Sequence, residues 1–159
     1  MMKKVFLFLF FSLLMISCSS IKNSVVNSKK NATIADRIVA NALKYKGVKY
    51  KFGGTTRRGM DCSGVIFVAF GQENFHLPRV SRDMAKKGEK IPINKVKKGD
   101  LLFFKTSKSN RNINHVGLVI SNNKGQIRFI HSTSSRGVIV SSISEKYWKR
   151  AFVKATNLL

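Results

Sequence analysis

The sequence predicts an α+β domain: N-terminal helices packed on a five- to six-stranded antiparallel sheet. Helical patterning dominates the stretch between Thr33 and Gly88, whereas short apolar runs of strand type cluster between Leu101 and Ala155. Asn122-Asn123-Lys124-Gly125 is a hairpin signal between two of those runs, which makes the neighbouring strands antiparallel. Hydrophobic residues make up 43% of the 159 positions, enough to build a folded core.

The chain opens with Lys3-Lys4 and an apolar run from Val5 to Ile16. A basic start and roughly a dozen apolar residues fit a secretory signal peptide over 1–17 and are short for a membrane span, which needs about 20. Met15-Ile16-Ser17-Cys18 resembles a bacterial lipobox, which implies cleavage before Cys18 and lipidation of that cysteine. Ser19 resembles the residue that follows lipidated cysteines carried to the outer membrane, facing the periplasm. Residues 18–32, rich in Ser, Asn and Lys, read as a flexible tether, and 33–159 as one folded domain.

Thr33 is placed to cap a helix whose stripe of Ile34, Ile38 and Leu43 runs to about Lys46, where Gly47 ends it. Gly47 to Gly54 reads as a short extended piece closed by a glycine pair, and Thr55 to Met60 as a loop. Asp61 then sits at an N-cap position before an apolar helix expected to reach about Asn74. Leu77-Pro78-Arg79 is a turn, and Ser81 can cap a short helix through Lys87. Strands follow at Leu101–Phe104, Asn114–Ile120, Gln126–His131, Gly137–Ser141 and Lys149–Ala155, with one helical turn over Ser144–Trp148.

The chain carries 30 Lys and Arg against 7 Asp and Glu, a formal charge of +23. Such a surface attracts polyanions: nucleic acid, anionic lipid or an anionic wall polymer. Export, dispersed lysines and the lack of a recognition motif argue against nucleic acid. With two cysteines, and Cys18 assigned to lipid, Cys62 has no intramolecular partner, and no zinc site can be built from cysteines. No metal or other cofactor is implied.

Cys62 falls in the first turn of its helix. Unpaired N–H groups and the helix dipole favour negative charge there, so the thiol pKa is expected to fall and the cysteine to act as a nucleophile. A nucleophilic cysteine needs a base, and the base an orienting group. Of the three histidines, His76 lies in a loop beside Pro78, whereas His115 and His131 stand at the open end of the predicted hairpin. Topology thus allows a Cys62–His115–His131 relay.

The motifs Tyr50-Lys51-Phe52-Gly53-Gly54, Gly59-Met60-Asp61-Cys62-Ser63-Gly64, Leu77-Pro78-Arg79-Val80-Ser81, Gly99-Asp100-Leu101-Leu102-Phe103-Phe104, His115-Val116-Gly117-Leu118-Val119 and Phe129-Ile130-His131 together resemble the NlpC-type cell-wall peptidases. These are papain-like cysteine hydrolases. The resemblance spans about residues 34–155 and implies the papain-like NlpC-type fold, with Cys62 as nucleophile, His115 as base and His131 as orienting residue. It places Tyr50 on the active site and Asp61 and Ser63 beside it. The implied partner is peptidoglycan or its fragments, cut most often between γ-D-glutamate and diaminopimelate or lysine. The implied setting is a monomeric enzyme held in the cell envelope through lipid on Cys18. Three alternatives stay open on the same fold: a muramyl-peptide amidase, an acyltransferase, or a non-catalytic envelope-binding lipoprotein.

Overall fold

A computed structural model describes residues 32–107 and 112–159. The expected signal peptide, Cys18 and all of the expected tether except Ala32 lie outside the described residues. Thr33–Leu159 forms one compact unit. Helix α1 spans Ile34–Leu43 and opens on a capping box: Thr33 Oγ1 accepts from the Asp36 amide at 3.1 Å, and Asp36 Oδ2 accepts from the Thr33 amide at 3.1 Å. Ile38, Val39 and Ala42 bury one stripe of it against α2, Cys62–Gly71. Because α2 lies between α1 and the sheet, it is apolar on almost every side, with Val65, Ile66, Ala69 and Phe70 all buried. Arg37 and Asn41 both bond Glu73, at 2.8 and 2.9 Å, pinning α1 to the C-terminal end of α2.

Two two-residue strands, β1 (Thr55–Thr56) and β2 (Gly59–Met60), pair just ahead of α2, and α3 is a single turn at Ser81–Met84. The main sheet holds β3 (Glu89–Ile91), β4 (Leu101–Phe104), β5 (His115–Asn123), β6 (Gln126–Thr133), β7 (Gly137–Ser142) and β8 (Phe152–Asn157). Their order is β3-β8-β4-β5-β6-β7, and every neighbouring pair is antiparallel. Alternation sends Leu101, Phe103, Val116, Leu118, Ile130 and Val138 toward α1 and α2. Leu102, Phe104, Val119, Ile127, Phe129 and Ala155 point the other way, where α4 (Lys146–Ala151) covers them with Trp148 and Ala151. Lys124 and Gly125 turn β5 into β6 with φ of 51° and 89°, the two positive values that a type I′ hairpin requires.

The sheet is six-stranded and the fold α+β, in line with the sequence, but several boundaries move. Helix α1 stops at Leu43 and α2 at Gly71, because Lys44–Gly47 and Gln72–Asn74 are turns, Asn74 at φ 63°. Ser81 is the first helical residue of α3 rather than its cap; Val80 holds the cap position. Residues Lys149–Ala151 are helical, not strand. The helix seats Trp148 and Ala151 three apart on the sheet, and that burial overrides the local strand pattern. Strand β3 carries no apolar alternation and β1–β2 is too short to leave a pattern, so neither was legible. The Gly47–Gly54 piece is not a named strand. Its first residues pair with β7 through Gly47 N–H to the Val138 carbonyl and Val138 N–H to the Val48 carbonyl, both 2.8 Å.

Candidate active site

Asp61 caps α2 from an extended conformation, φ −90° and ψ 177°, and Oδ1 accepts from the Gly64 amide at 2.6 Å. The helix start lies flush on the Gly53-Gly54 turn: a Cβ on Gly64 would stand 2.1 Å from the Gly54 carbonyl oxygen, so only glycine permits this approach. Arg79 locks the corner. Its Nη1 donates to Asp61 Oδ1 at 2.9 Å and Ser63 Oγ at 2.8 Å; its Nη2 donates to Asp61 Oδ2 at 2.8 Å. Ser63 Oγ and the Gly53 amide also donate to Asp61, at 3.2 and 2.8 Å. Asp61 and Ser63 are therefore both saturated, and they shape the approach to Cys62 rather than offering a free acid or hydroxyl.

Cys62 is a free, half-buried thiol at the meeting of two cavities. One, of about 490 Å³, runs past Phe52, Ser63, Arg79 and Val80; the other, of about 250 Å³, runs past His115, Ser132 and Trp148. Tyr50, Cys62 and Asn114 border both. A larger cavity, of about 980 Å³, is at Lys95, Lys97 and Asn122 and includes none of these groups. Size alone thus misplaces the site; the chemistry gathers where the two smaller cavities join.

The thiol does not follow the expectation from its helix position. Burial is the largest influence and pushes its pKa up; the amides of Val116, Ser63 and Cys62 act against that, while the Asp61 charge adds to it. The helix-start amides are where the sequence placed them, but desolvation outweighs them. Tyr50 is also raised, first by burial, then by the nearby Cys62 and Asp61 charges.

His115 and His131 are buried together, 7% and 0% exposed. His115 Nε2 lies 3.0 Å from His131 Nδ1, and His131 Nε2 lies 3.0 Å from Ser141 Oγ. Strand register explains the row. Ile139 faces His131 and Ser141 faces Phe129 across β6–β7, so His131 and Ser141 lie on one face as diagonal neighbours. Trp148 stacks on His115 at 5.2 Å and 22°, and meets His131 edge-on at 4.5 Å. Burial holds His115 down to about 4; burial, then the charges of His115 and Arg136, hold His131 down to about 2. Both rings are neutral at neutral pH. The Ser132 hydroxyl donates to the Met60 carbonyl at 2.8 Å and ties β6 to the segment entering Cys62.

The structure thus brings Tyr50, Asp61, Cys62, Ser63 and His115 to the paired cavities, with His131 directly behind His115. His76 lines neither cavity. Cys18 lies outside the described residues. Sequence reasoning missed Arg79, Ser141 and Trp148. Arg79 stood in a quoted motif with no role attached, and Trp148 was the sole tryptophan; Ser141 left no signal short of the β6–β7 register. Among the described residues no cluster of three His, Cys, Asp or Glu side chains could hold a metal ion.

Such an arrangement suits nucleophilic attack on an acyl carbon: a thiol at a helix N-terminus, and a neutral imidazole on the same cavity whose second nitrogen is held. Comparison with known proteins agrees. The family model described as NlpC/P60 matches residues 47–157. The Escherichia coli K12 protein named murein DD-endopeptidase MepS/murein LD-carboxypeptidase is 34% identical over 134 residues, which cover 84% of this chain and 68% of that one. The Bacillus subtilis γ-D-glutamyl-L-lysine dipeptidyl-peptidase is 30% identical over 129 residues, 80% of this chain and 42% of that one. A solved NlpC/P60 family structure from Bacillus cereus superposes with a TM-score of 0.71 at 25% identity, covering 79% of this chain and 40% of its own, so this chain spans about two-fifths of that protein. On sequence, fold and site geometry alike, the chain belongs to the NlpC/P60 family.

Proposed function

We propose that this chain is a cysteine endopeptidase of peptidoglycan stem peptides, with Cys62 as nucleophile, His115 as general base and His131 as the residue that orients the base. The observation that carries this reading is the buried His115–His131 pair, joined at 3.0 Å, with His115 on the same cavity as Cys62. Burial disfavours a resting thiolate–imidazolium pair, so the proton leaves Sγ for His115 as sulfur attacks the amide carbonyl. Amides of the first helical turn, that of Cys62 among them, receive the oxyanion with the Tyr50 hydroxyl beside them. His115 then protonates the leaving amine, and a water that it activates releases the acyl group.

The bond cut is the one between γ-D-glutamate and diaminopimelate or lysine, a reading supported by the name of the B. subtilis relative. A second reading, cleavage of a D,D bond, is favoured by the name of the E. coli relative. The enzyme is a monomer anchored in the cell envelope through lipid on Cys18. Its charge of +23 suits work beside an anionic wall polymer.

Digestion of purified peptidoglycan fragments by wild type and Cys62→Ala, read by mass spectrometry, tests all of this. A Cys62-dependent cut after D-glutamate upholds the proposal. A Cys62-dependent cut at a D,D bond or at the muramyl–peptide amide keeps the residues and replaces the substrate. No cut by either protein overturns the enzyme reading in favour of a binding lipoprotein. Alkylation of Cys62 by iodoacetamide checks the resting state: its rate should climb about tenfold per pH unit up to the thiol pKa, with no plateau at acid pH.

A further inference from the structure

We propose that Ser141 is a positioning residue of the relay, the hydrogen-bond acceptor that lets His115 carry a proton. This rests on the reading of His115 as base. Ser141 is 4% exposed, and its Oγ lies 3.0 Å from His131 Nε2, one strand beyond the pair usually counted in a cysteine–histidine site.

The argument is one of proton order. When Cys62 attacks, the thiol proton passes to His115 Nδ1, the ring nitrogen left over by the Nε2 contact with His131. His115 is then an imidazolium with a proton on both nitrogens. Its Nε2–H has to donate to His131 Nδ1, so that nitrogen must be bare. A neutral His131 therefore carries its proton on Nε2, and that buried N–H needs an acceptor. Ser141 Oγ is the acceptor present. No proton travels beyond His115; His131 and Ser141 only accept in series, and the proton returns from His115 to the leaving amine. The reverse order, Ser141 donating to His131, puts a proton on His131 Nδ1 and blocks the imidazolium. A hydroxyl suits the position for a second reason: it accepts without adding a charge to a site that burial already keeps neutral.

Among the described side chains that touch the relay, Trp148, Phe104 and Phe129 supply ring faces and edges but no acceptor for that N–H. Ser141 is thus not interchangeable with its apolar neighbours. Ser141→Ala leaves the volume nearly intact and removes only the acceptor.

The test uses the domain labelled with ¹⁵N-histidine, with long-range ¹H–¹⁵N correlation spectra of wild type, Ser141→Ala and Ser141→Thr. In wild type at neutral pH, His115 and His131 should both be Nε2–H tautomers. In Ser141→Ala the two rings should shift toward Nδ1–H, with Cys62 alkylation or turnover falling about tenfold, the worth of one buried hydrogen bond. Ser141→Thr, which keeps the hydroxyl, should restore both. Wild-type Nδ1–H tautomers, or tautomers and rates unmoved in Ser141→Ala, overturn the proposal. The spectra read proton order without any substrate. A wild type with the expected tautomers and no activity would therefore count against the hydrolase reading and not against this one. Loss of the folded spectrum in Ser141→Ala would shift the reading to Ser141→Cys, whose weak acceptor should reproduce the tautomer change.

Discussion

On one side of Cys62, Asp61 and Arg79 form a charged pair, and each carboxylate oxygen takes at least two donors: Oδ1 from Ser63, Gly64 and Arg79, Oδ2 from Gly53 and Arg79. On the other side, His115 and His131 sit neutral among Phe104, Phe129 and Trp148. The first flank uses fixed charge to hold backbone: it pins the Gly53-Gly54 turn, the helix start and Arg79 to one point. The second uses burial to hold a titratable group in its basic form. A cysteine hydrolase needs both properties, and placing them on opposite flanks keeps the fixed charge from deciding the protonation of His115, the proposed base. Two flanks built so differently should fail differently.

The largest expected effect is on the charged flank. Asp61→Asn removes the ion pair and weakens the cap of α2, leaving Arg79 with no carboxylate partner. Breaking such a pair costs about 3 kcal/mol, toward the lower end for buried pairs because the Arg79 side chain is 31% exposed. Arg79→Leu should cost a similar amount, and the double variant much less than the sum, since either change already breaks the pair. Urea unfolding of the four proteins measures this. Simple additivity would mean that Asp61 acts mainly as a helix cap and that the flank is not organised by charge.

Acid should act on the other flank. His115 and His131 have folded pKa values depressed below 6.5, so the unfolded chain binds more protons as pH falls through 6.5 and folding stability drops. Between pH 7 and 5.5 the loss is about 1.2 kcal/mol per histidine, or about 2.5 kcal/mol together. The depressed carboxylates Asp36, Glu73 and Asp83 lose their stabilising contribution only at lower pH, as it falls through about 4 and below, so this window belongs to the histidines. His131→Gln should roughly halve the slope of unfolding free energy against pH. An unchanged slope in that variant would show that the pair is not what couples stability to acid.

The same contrast explains what could be read from the chain in advance. The charged flank was legible as residue types, because a helix N-cap is a local device: Asp61, the glycines and the apolar run after Cys62 are consecutive. That Arg79 completes it depends on a loop returning 18 residues later, which no spacing rule supplies. The histidine pair was legible because a hairpin with a strong turn brings its two open ends together. Ser141 and Trp148 were not, since the first depends on the register of the next strand and the second on a helix lying across the sheet. The thiol was misjudged for a related reason. Helix-end amides are visible in a sequence, whereas the burial that outweighs them is a property of the packed molecule.

The smallest effect expected sharpens the comparison on the neutral flank, where the contacts are shape rather than charge. Gly117 lies on β5 two residues beyond His115, and a Cβ there would stand 2.4 Å from Phe129 Cδ2. Phe129 cannot swing away. It is fully buried, stacked on Phe104 at 5.1 Å and tilted against His131 at 4.7 Å. Gly117→Ala must therefore move the ring that His131 rests on, at a cost of about 1–2 kcal/mol for an overpacked methyl. Turnover should fall in proportion to the displaced relay, while the cavity at Arg79, which Phe129 does not line, keeps its shape. Gly71→Ala is the control, since a Cβ there meets nothing within 4 Å and a helical alanine is favoured over glycine. A Gly117→Ala protein as stable and as active as Gly71→Ala would mean that the aromatic wall yields. The position of His131 would then have to come from its two hydrogen bonds and its edge-on contact with Trp148.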